Sequence, residues 1–198
     1  MKRHLFAFFA AAFVSAAAYA QSAPLDVVKH AVVGTVDAMK KDPAARGGDL
    51  PKITQIVQDN FIPATNFDRT ARIAVGEAFK QATPEQQKAL SDQFRTLMTR
   101  TYAASLAQLG NQDAKFTFKQ DTATANDALV MSTVTTPGDS QTVGYRLSKV
   151  NGAWKIYDID MSGAWLIQVY QGQFKSQLQQ GGVPGLIDYL KKHNAREQ

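Results

Sequence analysis

Asn151-Gly152 separates two runs that alternate apolar and polar residues, and no other feature constrains the chain as tightly. A two-residue type I′ turn needs positive φ at both central positions, which Asn and Gly tolerate, so the pair predicts an antiparallel hairpin. Its arms are residues 141–150, with Val143, Tyr145 and Leu147 inward, and 153–161. In the second arm Trp154 and Ile156 fall on one face and Ile159 and Met161 on the other. Pro137-Gly138-Asp139 supplies a preceding turn after residues 127–135, where Leu129 and Met131 oppose Ala128, Val130 and Val134. Residues 115–119 add a strand that places Phe116 and Phe118 on one face. Apolar residues on both faces of the second and fourth strands imply that helices or a ligand cover part of each side.

The flanks have a helical period instead. Residues 24–39 put Leu25, Val28, Val32, Val36 and Met39 on one face, and Asp42-Pro43 with Gly47-Gly48 end that helix. Shorter helices are predicted from Pro51 to near Phe61, and from Phe67 to Val75 behind Asn66 as N-cap. The longest begins at Thr83-Pro84-Glu85-Gln86, a capping box with proline where its missing N–H is harmless. It carries Leu90, Phe94, Leu97, Met98, Tyr102, Leu106 and Leu109 at steps of three and four, and stops at Gly110-Asn111. After the strands, Trp165, Leu166, Val169, Tyr170, Phe174 and Leu178 mark another helix. Gly181-Gly182 breaks it before a short helix with Leu186, Ile187 and Leu190. Helices gathered beside an antiparallel meander define an α+β domain. The expected architecture is a curved antiparallel sheet of about four strands, wrapped by helices around an apolar cavity.

The N-terminus sets the compartment. Lys2, Arg3 and His4 precede an apolar stretch at residues 5–18, which is shorter than the ~20 residues a membrane-spanning helix needs. Ala18-Tyr19-Ala20 is the small-x-small pattern of a signal-peptidase site. Residues 1–20 therefore read as a cleavable signal peptide and 21–198 as one domain, delivered to the periplasm. The formal charge of +5 falls further when Lys2 and Arg3 leave, and is too evenly spread for nucleic acid. Cysteine is absent, so thiol chemistry, disulfides and cysteine metal sites are excluded.

Catalytic signals are scarce. Of the histidines in the domain, His30 and His193 are far apart and lack metal-like partners. No nucleophile elbow, zinc motif or phosphate-cradling loop occurs. Asp158 and Asp160 are the one carboxylate pair of interest: strict alternation sends both to the side of Trp154 and Ile156. There they could tune each other as acid and base, with Tyr102 or Tyr145 as hydrogen-bond donor for an isomerase-like reaction. The blander reading places them at a strand end, reaching solvent or capping the next helix.

Large apolar side chains are plentiful, and they either fill a core or line a cleft. The order of the motifs bears on that choice. From Gly76 through A-T-P-E-Q-Q (82–87), F-R-T-L-M-T-R-T-Y (94–102) and Leu106 the chain resembles the MlaC family, also called the toluene-tolerance auxiliary family. The resemblance resumes at V-G-Y-R-L (143–147), W-K-I-Y-D-I (154–159) and Gly163. It continues through Tyr170, Gln173-Phe174, Gly181-Gly182, Gly185-Leu186-Ile187, Leu190 and Lys192, and is weak before residue 60. It implies a periplasmic phospholipid carrier that is not an enzyme and needs no cofactor or metal. It further implies a monomer exchanging lipid with an inner-membrane ABC transporter bearing an MCE-type ring and with an outer-membrane lipoprotein–porin complex, keeping the outer membrane asymmetric. The chain departs from the family at Trp165, where a small hydroxyl residue is common, at Gln171, where Arg is common, and at Phe79, where Trp is common. An indole at 165 is expected to narrow the cavity mouth and the missing cation to weaken head-group pairing, which leaves open another amphiphile such as a hopanoid.

Facing and size, rather than any transferred motif, nominate the lipid-contacting residues. From the long helix these are Leu97, Met98 and Tyr102; from the first two strands, Phe116, Phe118, Leu129 and Met131. Tyr145 and Trp154 follow from the hairpin, and Trp165 and Phe174 from the last helix.

Overall fold

Capping decides where most of the helices begin. The computed structural model describes residues 23–110 and 112–196; the signal peptide expected at residues 1–20 lies outside the described residues. Helix α1 (Pro24–Lys41) opens on a proline at its first position. Asp42 accepts from the Ala44 and Ala45 N–H groups to start the short α2 (Pro43–Arg46), and Asp49 accepts from Lys52 N–H at α3 (Leu50–Asn60). One 3-10 turn, Ile62–Ala64, leads to α4 (Phe67–Val75), where Asn66 Oδ1 accepts from Arg69 N–H at 3.0 Å as the sequence predicts. Gly76, at φ 69°, turns the chain into α5 (Glu77–Gln81). The predicted capping box opens α6 (Pro84–Gly110): Gln86 N–H donates to Thr83 Oγ1, and Thr83 N–H donates to Gln86 Oε1.

The strands form one antiparallel meander in chain order, β1 (Lys115–Ala123), β2 (Asp127–Thr136), β3 (Asp139–Val150), β4 (Ala153–Met161) and β5 (Ala164–Trp165). A two-residue fifth strand thus extends the predicted four. Asn151 and Gly152 have φ of 49° and 83°, the pair that a type I′ turn requires. Helix α7 (Leu166–Arg196) runs through the predicted break as two arms kinked at Gly182, with Pro184 just inside the second arm.

One irregularity redirects the fourth strand. Leu147 pairs with Ile156 but Arg146 pairs with Asp158, so Tyr157 is an extra, bulged residue. A bulge resets the alternation, because a one-residue slip exchanges the two faces. Ile156, Ile159 and Met161 therefore share the inner face with Leu147, Tyr145 and Val143, while Asp158 and Asp160 join Arg146 and Gly144 on the outer face.

Packing falls into separate layers. Val28, Ala31 and Val32 of α1 lie against Ala128, Val130, Tyr145, Leu147 and Ile156 of the sheet. A helical layer of α4 to α7 forms beyond β4, centred on Phe94, Tyr170 and Phe174, whose ring centroids are 4.8 to 5.5 Å apart. Met39, Ile53 and Val57 close a third group with Ala103 of α6. Where these layers meet, the interior is not filled.

Candidate binding cavity

Between the inner face of the sheet and helices α1, α3, α4 and α6 lies a cavity of about 900 Å³. That is at the upper end of the ~300–1,000 Å³ typical of ligand pockets. The sheet contributes Phe116, Val134, Val143, Tyr145, Ile156 and Ile159; the helices contribute Val32, Val57, Met98, Leu106, Leu109 and Leu166. Phe61 and Ile62, at the turn after α3, and Phe67 of α4 complete the apolar wall.

Polar atoms in the deep wall are already engaged. Thr70 Oγ1 donates to the Tyr157 carbonyl at 2.7 Å, Thr99 Oγ1 to the Arg95 carbonyl at 2.8 Å, and Thr65 Oγ1 to the Ile62 carbonyl at 2.6 Å. Each threonine spends its hydroxyl on the backbone and leaves its methyl for the cavity. Tyr145 is 4 % exposed, its hydroxyl shared with Ser132 Oγ at 3.3 Å. Burial pushes its pKa up to about 12, so it stays neutral at physiological pH. The opening is different: Gln112, Asp113, Thr136, Asp139, Gln141, Thr142 and Ser162 border it. A hydrocarbon-lined interior with a polar rim suits a molecule with an apolar tail and a polar head.

The residues nominated from sequence divide sharply. Met98, Phe116 and Tyr145 line the cavity, and Phe118 stacks on Phe116 with centroids 6.4 Å apart at the edge of the α1–sheet layer. Leu97 and Phe174 are buried in the helical layer, and Trp154 is buried between sheet and α1; helix–helix and helix–sheet packing consume them. Leu129 and Met131 alternate with the buried Ala128 and Val130, so they face outward. Trp165 joins them there: its Cη2 and Met131 Sδ both close on Gly144, where a Cβ would meet them at 3.2 and 3.3 Å. These six are corrections to the nominated lining. Tyr102 falls outside the described side chains.

The two feared departures are also elsewhere. Trp165 stacks under Arg146, whose guanidinium lies 3.7 Å from the ring centroid, and does not border the mouth. Gln171 Nε2 donates to the Ile73 carbonyl at 3.0 Å, tying α7 to α4. Phe79 is buried in the helical layer.

Asp158 borders the cavity but both its oxygens are committed. Oδ1 accepts from the Ile159 and Ile167 N–H groups at 3.0 and 3.1 Å, and Oδ2 from Arg146 at 3.1 Å. The Ile167 bond caps the first turn of α7, the blander of the two sequence readings. Burial raises the pKa of Asp158, against the lowering effect of these donors. The acid/base constellation does not assemble: Asp160 sits on the outer face opposite Gly144, while Tyr145 points inward.

What the sequence could have marked, and sequence reasoning missed, is the inner-face set Val134, Ile156, Ile159 and Met161. The bulge at Tyr157 masked Ile159 and Met161, whereas Val134 lies on the less bulky face of β2, opposite Leu129 and Met131. Phe61 and Ile62 were legible only as the end of a helix.

The fold and its hollow define a class: an α+β domain holding an apolar cavity between an antiparallel meander and its helices. The MlaC protein family model matches residues 29–192, and the chain belongs to that family. A solved relative is similar over 89 % of this chain and 99 % of its own, at 38 % identity and a TM-score of 0.82: a phospholipid-binding protein from Ralstonia solanacearum, in complex with a phospholipid. Among the described residues no helix is long and apolar enough to cross a membrane.

Proposed function

We propose that this protein is a periplasmic phospholipid carrier, exported by its leader and acting as a monomer without catalysis. The cavity of about 900 Å³, apolar within and polar at the rim, is the observation that carries this reading. A methylene fills about the space of a water molecule, ~30 Å³, so the cavity holds on the order of 30 methylenes, or two acyl chains. Burying one chain of ~14 methylenes contributes roughly 11 kcal/mol before ordering costs. The same chain gains nearly as much in a bilayer, so lipid passes between carrier and membrane at little net cost. The phospholipid complex of the relative at 38 % identity supports the same ligand class.

Family membership supports the wider role: shuttling lipid between an inner-membrane ABC transporter with an MCE-type ring and an outer-membrane lipoprotein–porin complex, so maintaining outer-membrane asymmetry. The test is organic extraction of protein purified from the periplasm, followed by mass spectrometry. One diacyl phospholipid per chain is the expected result. An extract free of lipid, or one containing a hopanoid instead, overturns the assignment.

A further inference from the structure

We propose that the mouth of the cavity selects phospholipids whose headgroup carries a cationic amine over those whose headgroup is purely anionic. This rests on the carrier reading: the cavity beneath calls for the lipid, and the rim decides only what stands at its opening.

The chain is basic overall, with 22 Lys and Arg against 17 Asp and Glu, yet its mouth is not. Among the described lining residues there is no lysine or arginine, whereas Asp113 and Asp139 both border the opening. Asp139 stands at the β2–β3 turn with its carboxylate held in place, Oδ1 accepting from Ser140 N–H at 2.8 Å and Oδ2 from Gln141 Nε2 at 2.9 Å. Asp113 lies in the exposed connection between α6 and β1. Two cations on the strands beside the mouth, Arg146 and Lys115, are turned away from it. Arg146 is on the outer face, paired with Asp158 and stacked on Trp165. Lys115 pairs in register with the exposed Thr135, next to the inward Phe116.

A phosphate at this rim finds neutral donors, the hydroxyls of Thr136, Thr142 and Ser162 and the amides of Gln112 and Gln141. It finds no counter-charge. An ethanolamine ammonium beyond that phosphate meets two carboxylates, while a phosphoglycerol headgroup brings only its negative charge to them. A charge pair ~5 Å apart in water changes affinity about two- to fourfold once salt screening is counted. Two carboxylates acting together are therefore worth roughly four- to tenfold between the two headgroups.

The experiment loads delipidated protein from vesicles of equal phosphatidylethanolamine and phosphatidylglycerol with matched acyl chains, and the recovered lipid is measured by mass spectrometry. Wild type should be enriched at least fourfold in phosphatidylethanolamine, and less so at high salt. Asp113→Asn with Asp139→Asn should bring the ratio near one with the total load unchanged; Asp113→Asn alone should fall between. Equal loading of both lipids by wild type, or a ratio unmoved in the double variant, overturns the selection and leaves the carrier intact. Failure of wild type to take up either lipid overturns the carrier reading as well.

Discussion

A single carboxylate placed on either face of the sheet separates a lipid cavity from a mere surface. Val143 is half-buried on the inner face and lines the cavity; Met131, half-buried on the neighbouring strand, is turned to the outer face beside Trp165. Val143→Asp puts an ionised group against the lipid tail. If the carboxylate keeps its water, about four methylenes around it stay wet, which forfeits ~3 kcal/mol at ~0.8 kcal/mol each. If the tail presses on it instead, desolvating the ion costs several kcal/mol. The smaller response sets the effect, so retention should fall about a hundredfold, since ~1.4 kcal/mol is tenfold. Met131→Asp should retain lipid like wild type. The assay is gel filtration of protein loaded with labelled phospholipid, counting label that co-elutes, with thermal unfolding by circular dichroism to confirm that both variants are folded. Undiminished retention by folded Val143→Asp, or loss confined to Met131→Asp, would refute the assignment of the two faces.

Three further outcomes follow from the packing. Arg146→Ala removes a charged hydrogen bond from buried Asp158 and should cost ~1.5–3 kcal/mol at pH 7. Because burial raises the Asp158 pKa in the folded state, the native protein binds a proton there before the unfolded chain does, and this group's contribution improves as pH falls toward 3.8. Urea unfolding should therefore show a smaller Arg146→Ala deficit at pH 4 than at pH 7; an equal deficit would show that the pair is not electrostatic. Gly144→Ala forces a Cβ to within 3.2 Å of Asp160 Cβ and Trp165 Cη2, and should destabilise by ~1–3 kcal/mol without altering lipid retention. Phe174→Ala empties the centre of the Phe94–Tyr170–Phe174 group and should cost ~3–5 kcal/mol by the same unfolding assay.

Local chemistry was legible where a residue type has only one good conformational use. Asn151-Gly152, the Thr83–Gln86 capping box and the Asn66 cap each sit where their hydrogen bonds or φ values demand. Face assignment was legible only while alternation held. In β2 both faces are apolar, and size pointed to Leu129 and Met131 as the inner set. Packing chose the reverse: α1 lies directly on the sheet there, and Ala128 and Val130 fit beneath it with Val28 and Val32. In β4 the bulged Tyr157 exchanged the faces of every later residue, and nothing in W-K-I-Y-D-I announces a bulge. Phe174 and Leu97 were rightly expected to be buried, but burial against another helix and burial against a cavity have the same 3.6-residue period.

The bulge also explains how the two faces can do opposite work. An unbroken β4 would aim Asp158 and Asp160 into the cavity and Ile159 and Met161 out of it, setting ionised groups where a hydrocarbon tail must lie. The extra residue turns Ile159 and Met161 inward to the lipid side. The same shift delivers Asp158 to Arg146 and to the N–H of Ile167, so a carboxylate at the border of the cavity, with both oxygens committed, becomes the cap that fastens α7 to the sheet. Anchoring α7 from the outer face matters because α7 contributes little to the cavity itself beyond Leu166. Rigidity is thus placed in the outer face and in the aromatic layer beyond β4. The inner face can remain unfilled without the helices collapsing onto it, which is the mechanical condition for a protein that must hold a tail and later release it.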